Sequence, residues 1–185
     1  MKATCLIGSA RSNGSTAYLI DTIAAGMCEA GIAVTKYCIG SENLTYCMGC
    51  KKCYIDGECV HHDIVKQIVS DIVSSDFVVI AAPSYWADVP GQLKTFFDRS
   101  TPYGDTNPNR ILKAEKPIKG IAIAVRAGVR QQENELILNS IYGHLGIETV
   151  KRISICETDT LEDLTTRHQD VIDEIYQLGK NITSI

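Results

Sequence analysis

Short runs rich in β-branched residues alternate along this chain with segments whose apolar residues recur at helical spacing. The runs predict five strands, at residues 2–8, 33–39, 77–82, 121–125 and 149–155. The intervening segments predict helices that include residues 19–27 and 64–72 and span residues 89–99, 131–145 and 160–178. Thr160 and Asp163 have the spacing of a capping box for the last of these helices. Such an alternation predicts an α/β fold, with a doubly wound five-stranded parallel sheet in the strand order 2-1-3-4-5.

Length and charge limit the partners to be expected. The 185 residues suffice for a single domain with a full hydrophobic core, which we place at 1–185. A net charge of -4 without a basic block argues against nucleic acid as a partner. The first apolar run ends too early for a signal peptide, and no run reaches membrane-spanning length. We therefore expect a cytoplasmic protein with no membrane contact.

The loop after the first strand has the composition of a phosphate site. It reads GSARSNGST, residues 8–16, and ends at a helix N-terminus whose amides, together with the hydroxyls and Arg11, favour an anion. It lacks the Walker lysine and the dinucleotide fingerprint, so the single phosphate of FMN suits it better than a triphosphate. An ordinary Ser/Gly-rich turn is the alternative for this loop alone. The predicted cofactor-binding residues are Ser9, Arg11, Asn13, Gly14, Ser15 and Thr16.

Two further loops are predicted at the same edge of the sheet, because ligands of such sheets bind beyond the carboxyl ends of the strands. Pro83 ends the third strand and is followed by Tyr85 and Trp86, the chain's one tryptophan. Flat aromatic side chains beside backbone amides suit an isoalloxazine ring, although aromatics at strand ends also serve as core lids. The segment RAGVRQQ, residues 126–132, carries Gly128 and is expected to close the other side.

The connection after the second strand, about residues 40–62, is far longer than the ~2 to 6 residues usual for such a loop. It contains CMGCKKCYIDGEC, residues 47–59, with four of the eight cysteines. Disulfides, a structural zinc and an iron-sulfur cluster are the three alternatives, and a reducing cytosol disfavours disulfides. The remaining cysteines are interpreted as packing residues of strands and a helix. These are Cys5, Cys28, Cys38 and Cys156.

With these motifs the chain resembles the flavodoxin-like NAD(P)H-dependent FMN reductases, and among them the iron-sulfur flavoproteins. The resemblance rests on GSxRxxGxT, C-x2-C-x2-C-x5-C and PxYWxxxPGxLKxFxDR in this order. It implies FMN held by loops starting near Ser9, Pro83 and Ala127, with Ser84 in the second loop. It also implies homo-oligomers, dimers or tetramers, with the cysteine loop close to a flavin. The ligands implied for a [4Fe-4S] cluster are Cys47, Cys50, Cys53 and Cys59.

The cysteine spacing agrees with a cluster. C-x2-C-x2-C is a compact ferredoxin run, and Gly57 permits a turn that returns Cys59 as the fourth ligand, although in ferredoxins that fourth cysteine serves another cluster. Zinc sites usually use two pairs separated by a longer spacer. Zinc stays open because His61 and His62 follow directly and could replace a cysteine, although adjacent histidines before a helix are usually solvent-facing.

Three functions follow from the resemblance. The favoured one is an FMN- and iron-sulfur-dependent oxidoreductase that relays electrons from a ferredoxin-like donor to a small-molecule acceptor. The second is an NAD(P)H-dependent FMN reductase of quinones or other small oxidants, with a structural cysteine loop. The third is a non-catalytic electron carrier or redox sensor. The flavin itself would carry the chemistry, so no catalytic side chain is predicted.

Overall fold

The computed structural model describes residues 1–129 and 141–185, and their centre is a five-stranded parallel sheet. The observed order β2-β1-β3-β4-β5 confirms the predicted flavodoxin-like arrangement. Each strand lies within three residues of its predicted bounds. The strands are β1 (Lys2–Ile7), β2 (Ala33–Cys38), β3 (Phe77–Pro83), β4 (Ile118–Val125) and β5 (Ile147–Ile155).

Helices connect the strands and cover both faces of the sheet. Three short 3-10 turns, Ile39–Ser41, Thr101–Tyr103 and Ile182–Ser184, follow a strand or a helix. Within the described residues, no helix is both long enough and apolar enough to cross a bilayer. The helices are α1 (Ser15–Glu29), α2 (Cys53–Asp56), α3 (Val65–Ser74), α4 (Gly91–Arg99), α5 (Leu161–Arg167) and α6 (Gln169–Lys180).

The helix predicted near the end of the chain is divided in the structure. The segment predicted as one helix at 160–178 is two helices, because the backbone at His168 leaves helical geometry between α5 and α6. The predicted capping box is confirmed: the Thr160 hydroxyl accepts from the Asp163 amide, and the Asp163 carboxylate accepts from the Thr160 amide. Of the helix predicted at 131–145, residues 131–140 lie outside the described residues, and 141–145 are helical.

Each face of the sheet has its own apolar core. One core joins α1, α5 and α6 to the sheet, and the other joins α3 and α4 to the opposite face. All seven residues of β3 are buried, as expected of a central parallel strand with helices on both sides. Helices α1 and α6 approach closely because Gly26 and Gly179 have no side chain: a Cβ on Gly26 would lie 2.3 Å from the Tyr176 carbonyl oxygen.

A buried tyrosine hydroxyl joins β3 to β4. The Tyr142 hydroxyl accepts a hydrogen bond from the Ile80 amide at 2.9 Å and donates to the Ile121 carbonyl at 2.5 Å. Burial raises the pKa of Tyr142 well above its ordinary value, so the group is neutral and able to donate. The ring lies against Gly120, where any Cβ would lie 2.9 Å from it.

We expect Tyr142→Phe to lower the free energy of unfolding by about 1–3 kcal/mol, because the buried Ile80 amide loses its acceptor. Urea unfolding followed by circular dichroism measures the change. Tyr18→Phe is the matched control, since Tyr18 is exposed. Equal stability of the two variants would show that the hydroxyl is not needed between the strands.

Candidate functional site

The loop between β1 and α1 is shaped to receive an anion. Helix α1 starts at Ser15 with Gly14 as its N-cap residue, and no side chain caps its first amides. The Ser9 hydroxyl accepts from the Arg11 amide at 3.1 Å, which keeps the turn tight. Ser9 and Thr16 are buried in the loop, whereas Arg11 is exposed. Uncapped amides, hydroxyls and one guanidinium therefore lie together at a helix N-terminus, as in known phosphate sites.

A glycine from the second strand's connection supports this loop from behind. Gly40 packs against the loop so closely that a Cβ would lie 2.1 Å from the Ser9 carbonyl carbon and 2.2 Å from the Ala10 nitrogen. The Cys38 thiol contacts the Ser9 carbonyl oxygen at 3.5 Å. The backbone path of residues 9–10 therefore depends on the absence of a side chain at position 40.

A cleft of about 250 Å³ opens beside the loop. It brings nine of the twelve predicted cofactor-binding residues together, from the loops after β1, β3 and β4. Asn13, Trp86 and Gly128 lie outside its lining. The Ser15 hydroxyl donates to the Thr160 carbonyl at 2.9 Å, so it ties α1 to the start of α5. The nine predicted residues in the lining are Ser9, Arg11, Gly14, Ser15, Thr16, Pro83, Ser84, Tyr85 and Ala127.

The aromatic pair after β3 lies in a tight reverse turn. The Tyr85 amide donates to the Asp88 carbonyl at 2.8 Å, and the Asp88 amide donates back at 3.0 Å. Both central residues have positive φ angles, 53° at Trp86 and 63° at Ala87, which are unfavourable for side chains of this kind. The turn presents Trp86 fully to solvent and leaves Tyr85 half exposed at the cleft.

The four clustered cysteines line one small pocket of about 80 Å³. His61 also lines it, and its Nε2 atom is buried without a hydrogen-bond partner in the described part of the chain. His62 is exposed. Burial raises the pKa of Cys53, and the nearby Cys47, Cys50 and Cys59 raise it further. Deprotonation of the Cys53 thiol therefore costs free energy. Four thiols that line one pocket can bind a metal centre through sulfur.

These thiols do not converge on a single point. Among residues 1–129 and 141–185, no three His, Cys, Asp or Glu side chains form a group that could hold one metal ion. A four-iron cluster binds each thiolate through a different iron, so its ligands lie further apart than four ligands of one zinc ion. The remaining cysteines lie elsewhere: Cys5 is buried, Cys38 and Cys156 are half-buried, and Cys28 is exposed, contrary to its interpretation as a packing residue.

A buried arginine lies beneath the cysteine pocket. Arg99, the last residue of α4, is only 1% exposed, and its Nε donates to the Cys59 thiol at 3.2 Å. Its Nη1 donates to the Thr45 carbonyl at 2.6 Å, and Nη2 donates to the His61 carbonyl at 3.3 Å. Asp63 pairs with the guanidinium through both carboxylate oxygens, at 3.0 and 2.8 Å. One side chain thus holds four points of the cysteine loop.

Two asparagines fix the same loop from its other side. The buried Asn107 side chain donates to the Cys53 carbonyl at 2.9 Å, and Asn109 donates to the Tyr54 carbonyl at 2.6 Å. Gly57 ends α2 with a φ of 74°, and a Cβ there would lie 2.3 Å from the Asn109 carbonyl oxygen. The loop is therefore packed on the segment after α4, although it has little regular structure of its own.

Residues 1–156 match the family described as NADPH-dependent FMN reductase. The chain belongs to this family. An iron-sulfur flavoprotein of Archaeoglobus fulgidus is 36% identical over 133 residues, which cover 72% of this chain and 58% of the relative. The chain therefore spans less than two thirds of that relative's length. An iron-sulfur flavoprotein of Methanocaldococcus jannaschii is 30% identical over 143 residues, 77% of this chain and 69% of the relative. These relatives place the chain in the iron-sulfur flavoprotein subgroup.

Solved structures agree on the fold of this FMN reductase family member. An NAD(P)H:quinone oxidoreductase from Methanothermobacter marburgensis superposes with a TM-score of 0.75 over 99% of this chain and 97% of the other. The two sequences are only 16% identical, so the likeness shows the shared fold alone.

The loop after β5, which was not among the predicted cofactor loops, also lines the cleft of this family member. Thr158 and Asp159, after β5, line the cleft, as does Arg126. The Thr158 amide donates to the Arg126 carbonyl at 2.9 Å, and the Glu157 amide donates to the Gly128 carbonyl at 3.1 Å. These bonds join the loops after β4 and β5. The polar run TDT before the capping box was the available sequence signal.

We expect Gly40→Ala to destabilise the protein by about 1–3 kcal/mol, because the added methyl overlaps the backbone of residues 9–10. We also expect weaker binding of FMN, the cofactor indicated by the sequence, since the same backbone forms the anion loop. Urea unfolding and flavin fluorescence titration measure the two effects. Gly143→Ala is the control, because nothing lies within 4 Å of its added Cβ. An unchanged FMN affinity in Gly40→Ala would separate this loop from the cofactor.

Proposed function

We propose that this chain is an FMN- and iron-sulfur-dependent oxidoreductase that relays electrons between a one-electron donor, such as ferredoxin, and a small-molecule acceptor. The observation that carries the proposal is the pocket lined by all four cysteines of the loop. Membership of the FMN reductase family and the iron-sulfur names of its relatives support it.

The β1–α1 loop is proposed to bind the phosphate of FMN. Amides at the start of α1 and the Ser9 and Thr16 hydroxyls donate to it, and Arg11 adds a positive charge. The Ser15 hydroxyl is already bonded to the Thr160 carbonyl, so position 15 contributes through its amide. The loop can still bind the FMN phosphate without the Ser15 hydroxyl, because uncapped amides remain available at the N-terminus of α1.

The loops after β3, β4 and β5 are proposed to hold the flavin ring. Pro83, Ser84 and Tyr85 line one part of the cleft, and Ala127 lines another. Bound FMN would supply hydride or single-electron transfer through its ring. The chain's own residues would bind and orient it, so no side chain is assigned as a general acid or base. Asn13, Trp86 and Gly128 keep their predicted role only as proposals, since they lie outside the cleft lining.

The cysteine pocket is proposed to hold a [4Fe-4S] cluster through Cys47, Cys50, Cys53 and Cys59. Four thiols around one pocket are a complete ligand set for a cubane, which would supply single-electron transfer. The Arg99 N–H that already contacts the Cys59 sulfur suits a thiolate ligand. The compact C-x2-C-x2-C spacing of the first three cysteines favours a cluster over zinc.

Helix α4 links the two proposed sites within one chain. It begins at Gly91, shortly after the Tyr85 turn, is nine residues or about 13 Å long, and ends at Arg99 beneath the cysteines. The linings of the cleft and the pocket share no residue. Electrons would therefore pass between neighbouring sites that are separately formed.

A second candidate function is an NAD(P)H-dependent FMN reductase of quinones or other small oxidants. The description of the matching family favours it. Turnover of anoxically purified protein with NADPH and with reduced ferredoxin separates the two functions. Rapid flavin reduction by NADPH, with none by ferredoxin, would favour the second.

The homo-oligomeric state stays a prediction, and exposed apolar side chains at Tyr46, Met48, Ile55 and Trp86 are compatible with it.

We expect the purified chain to contain noncovalent FMN, released by acid and identified by chromatography. Arg11→Ala and Thr16→Val should each weaken FMN binding by about 1.5–3 kcal/mol, the strength of a charge-assisted hydrogen bond. Thr22→Val on the same helix is the control, because its hydroxyl donates to the Tyr18 carbonyl instead. Recovery of FAD, or full affinity in both variants, would contradict the phosphate assignment.

After anoxic purification or reconstitution, we expect about four irons and four sulfides per chain. Cys59→Ala should reduce this content and speed cluster loss, because one ligand is missing. Cys28→Ala is the control, since this exposed cysteine lies on α1 outside the pocket. Stoichiometric zinc without sulfide, or a full and equally stable cluster in Cys59→Ala, would refute the assignment.

A further inference from the structure

The guanidinium of Arg99 is buried, and every one of its nitrogen atoms has a partner in residues 45–63. Nε donates to the Cys59 thiol, Nη1 to the Thr45 carbonyl and Nη2 to the His61 carbonyl. Burying a guanidinium costs desolvation free energy. These contacts offset that cost only while the cysteine loop covers Arg99. Its partners are therefore a direct link between α4 and the cysteine loop.

Asp63 supplies the negative charge that pairs with the Arg99 guanidinium. Its carboxylate pairs with both Nη atoms and also accepts from the Val65 amide at the start of α3. The carboxylate is 22% exposed, whereas the arginine side chain is 1% exposed. The pair is thus asymmetric: the Arg99 guanidinium contacts the Cys59 sulfur directly, whereas the Asp63 carboxylate contacts the guanidinium.

We propose that Arg99 and Asp63 are positioning residues of the cysteine pocket, which close its loop and shift the reduction potential of its cluster in opposite directions. The inference rests on the proposed function, because it requires the cluster. It also makes a claim about the loop alone, which holds whether or not the pocket is loaded.

Charge fixes the sign of each effect. One-electron reduction adds one negative charge to the cluster and its thiolates, breaks no bond, and takes its electron from a one-electron carrier, or from dithionite in a titration. A fixed cation and an N–H donor at the Cys59 sulfur favour the reduced form, so Arg99 raises the potential. The Asp63 carboxylate disfavours added negative charge, so it lowers the potential.

The other charged side chains at or near the pocket are exposed to solvent, and Lys51 is one of those in its lining. Glu58 pairs with Lys66, and Asp98, which lines the pocket, pairs with Lys94. Their side chains are 40% exposed or more, so solvent screens them. The Arg99–Asp63 pair is the less screened charge at the site.

The test compares Arg99→Gln, Arg99→Lys and Asp63→Asn with Lys94→Gln, which removes a cation from the exposed face of the same helix. Iron and sulfide are measured first, and the cluster potential is then measured by anoxic dithionite titration followed by electron paramagnetic resonance. We expect a lower potential in Arg99→Gln, a smaller decrease in Arg99→Lys, and a higher potential in Asp63→Asn. Lys94→Gln should match the wild type.

A second readout needs no cluster. In metal-free protein, trypsin cleavage after the exposed Lys51 and Lys52 reports opening of the loop. We expect cleavage about tenfold faster in Arg99→Gln, because charge-assisted hydrogen bonds are lost. The acceleration should be smaller in Asp63→Asn, which keeps an acceptor, and absent in Lys94→Gln.

The outcomes separate this inference from the proposed function. Loaded variants whose potentials move in the same direction, or not at all, would overturn the inference and leave the function intact. Unchanged cleavage in metal-free Arg99→Gln would overturn the loop-closing part. Wild-type protein without iron would overturn the function together with the potential-setting part, and the cleavage rates would still decide whether Arg99 closes the loop.

Discussion

The position of β1 between β2 and β3 is the constraint on which the cleft depends. With β2 on one side of β1 and β3 on the other, the helices after β1 and β3 cover opposite faces, and a gap opens between their loops. Gly8 closes the base of this gap: its amide donates to the Ala81 carbonyl at 2.8 Å, and a Cβ there would lie 2.7 Å from Leu93. The base of the cleft is therefore packed too closely to admit a side chain at position 8.

The cysteine loop follows a different principle. Its one α-helix is the four-residue α2, so most of its carbonyls need partners outside any ladder or α-helix. Arg99, Asn107 and Asn109 supply those partners to Thr45, Cys53, Tyr54 and His61. Polar side chains from the segment 99–109 thus provide the hydrogen bonds to loop carbonyls that neighbouring strands provide within a sheet.

Periodic apolar spacing predicted the five strands and their order, because these depend on local sequence and on the chirality of parallel connections. The Thr160–Asp163 spacing predicted the capping box. The apolar spacing also indicated which loops meet at the carboxyl edge. It could not predict the break at His168, which no proline or glycine marks, or the joining of the loops at Arg126 and Thr158. Arg99 was hidden for another reason: arginines are mostly exposed, and its partners lie 36 to 54 residues earlier in the chain.

That separation has a consequence for biosynthesis. The chain is made from its N-terminus, so the four clustered cysteines emerge from the ribosome well before the side chains that hold their loop. Arg99 follows Cys59 by 40 residues. During this interval the four thiols belong to an unfixed segment, open to solvent and to oxidants. Closure of the loop must then await the folding of α4 and the segment that follows it. The order of residues along the chain thus sets the earliest moment at which the pocket can form.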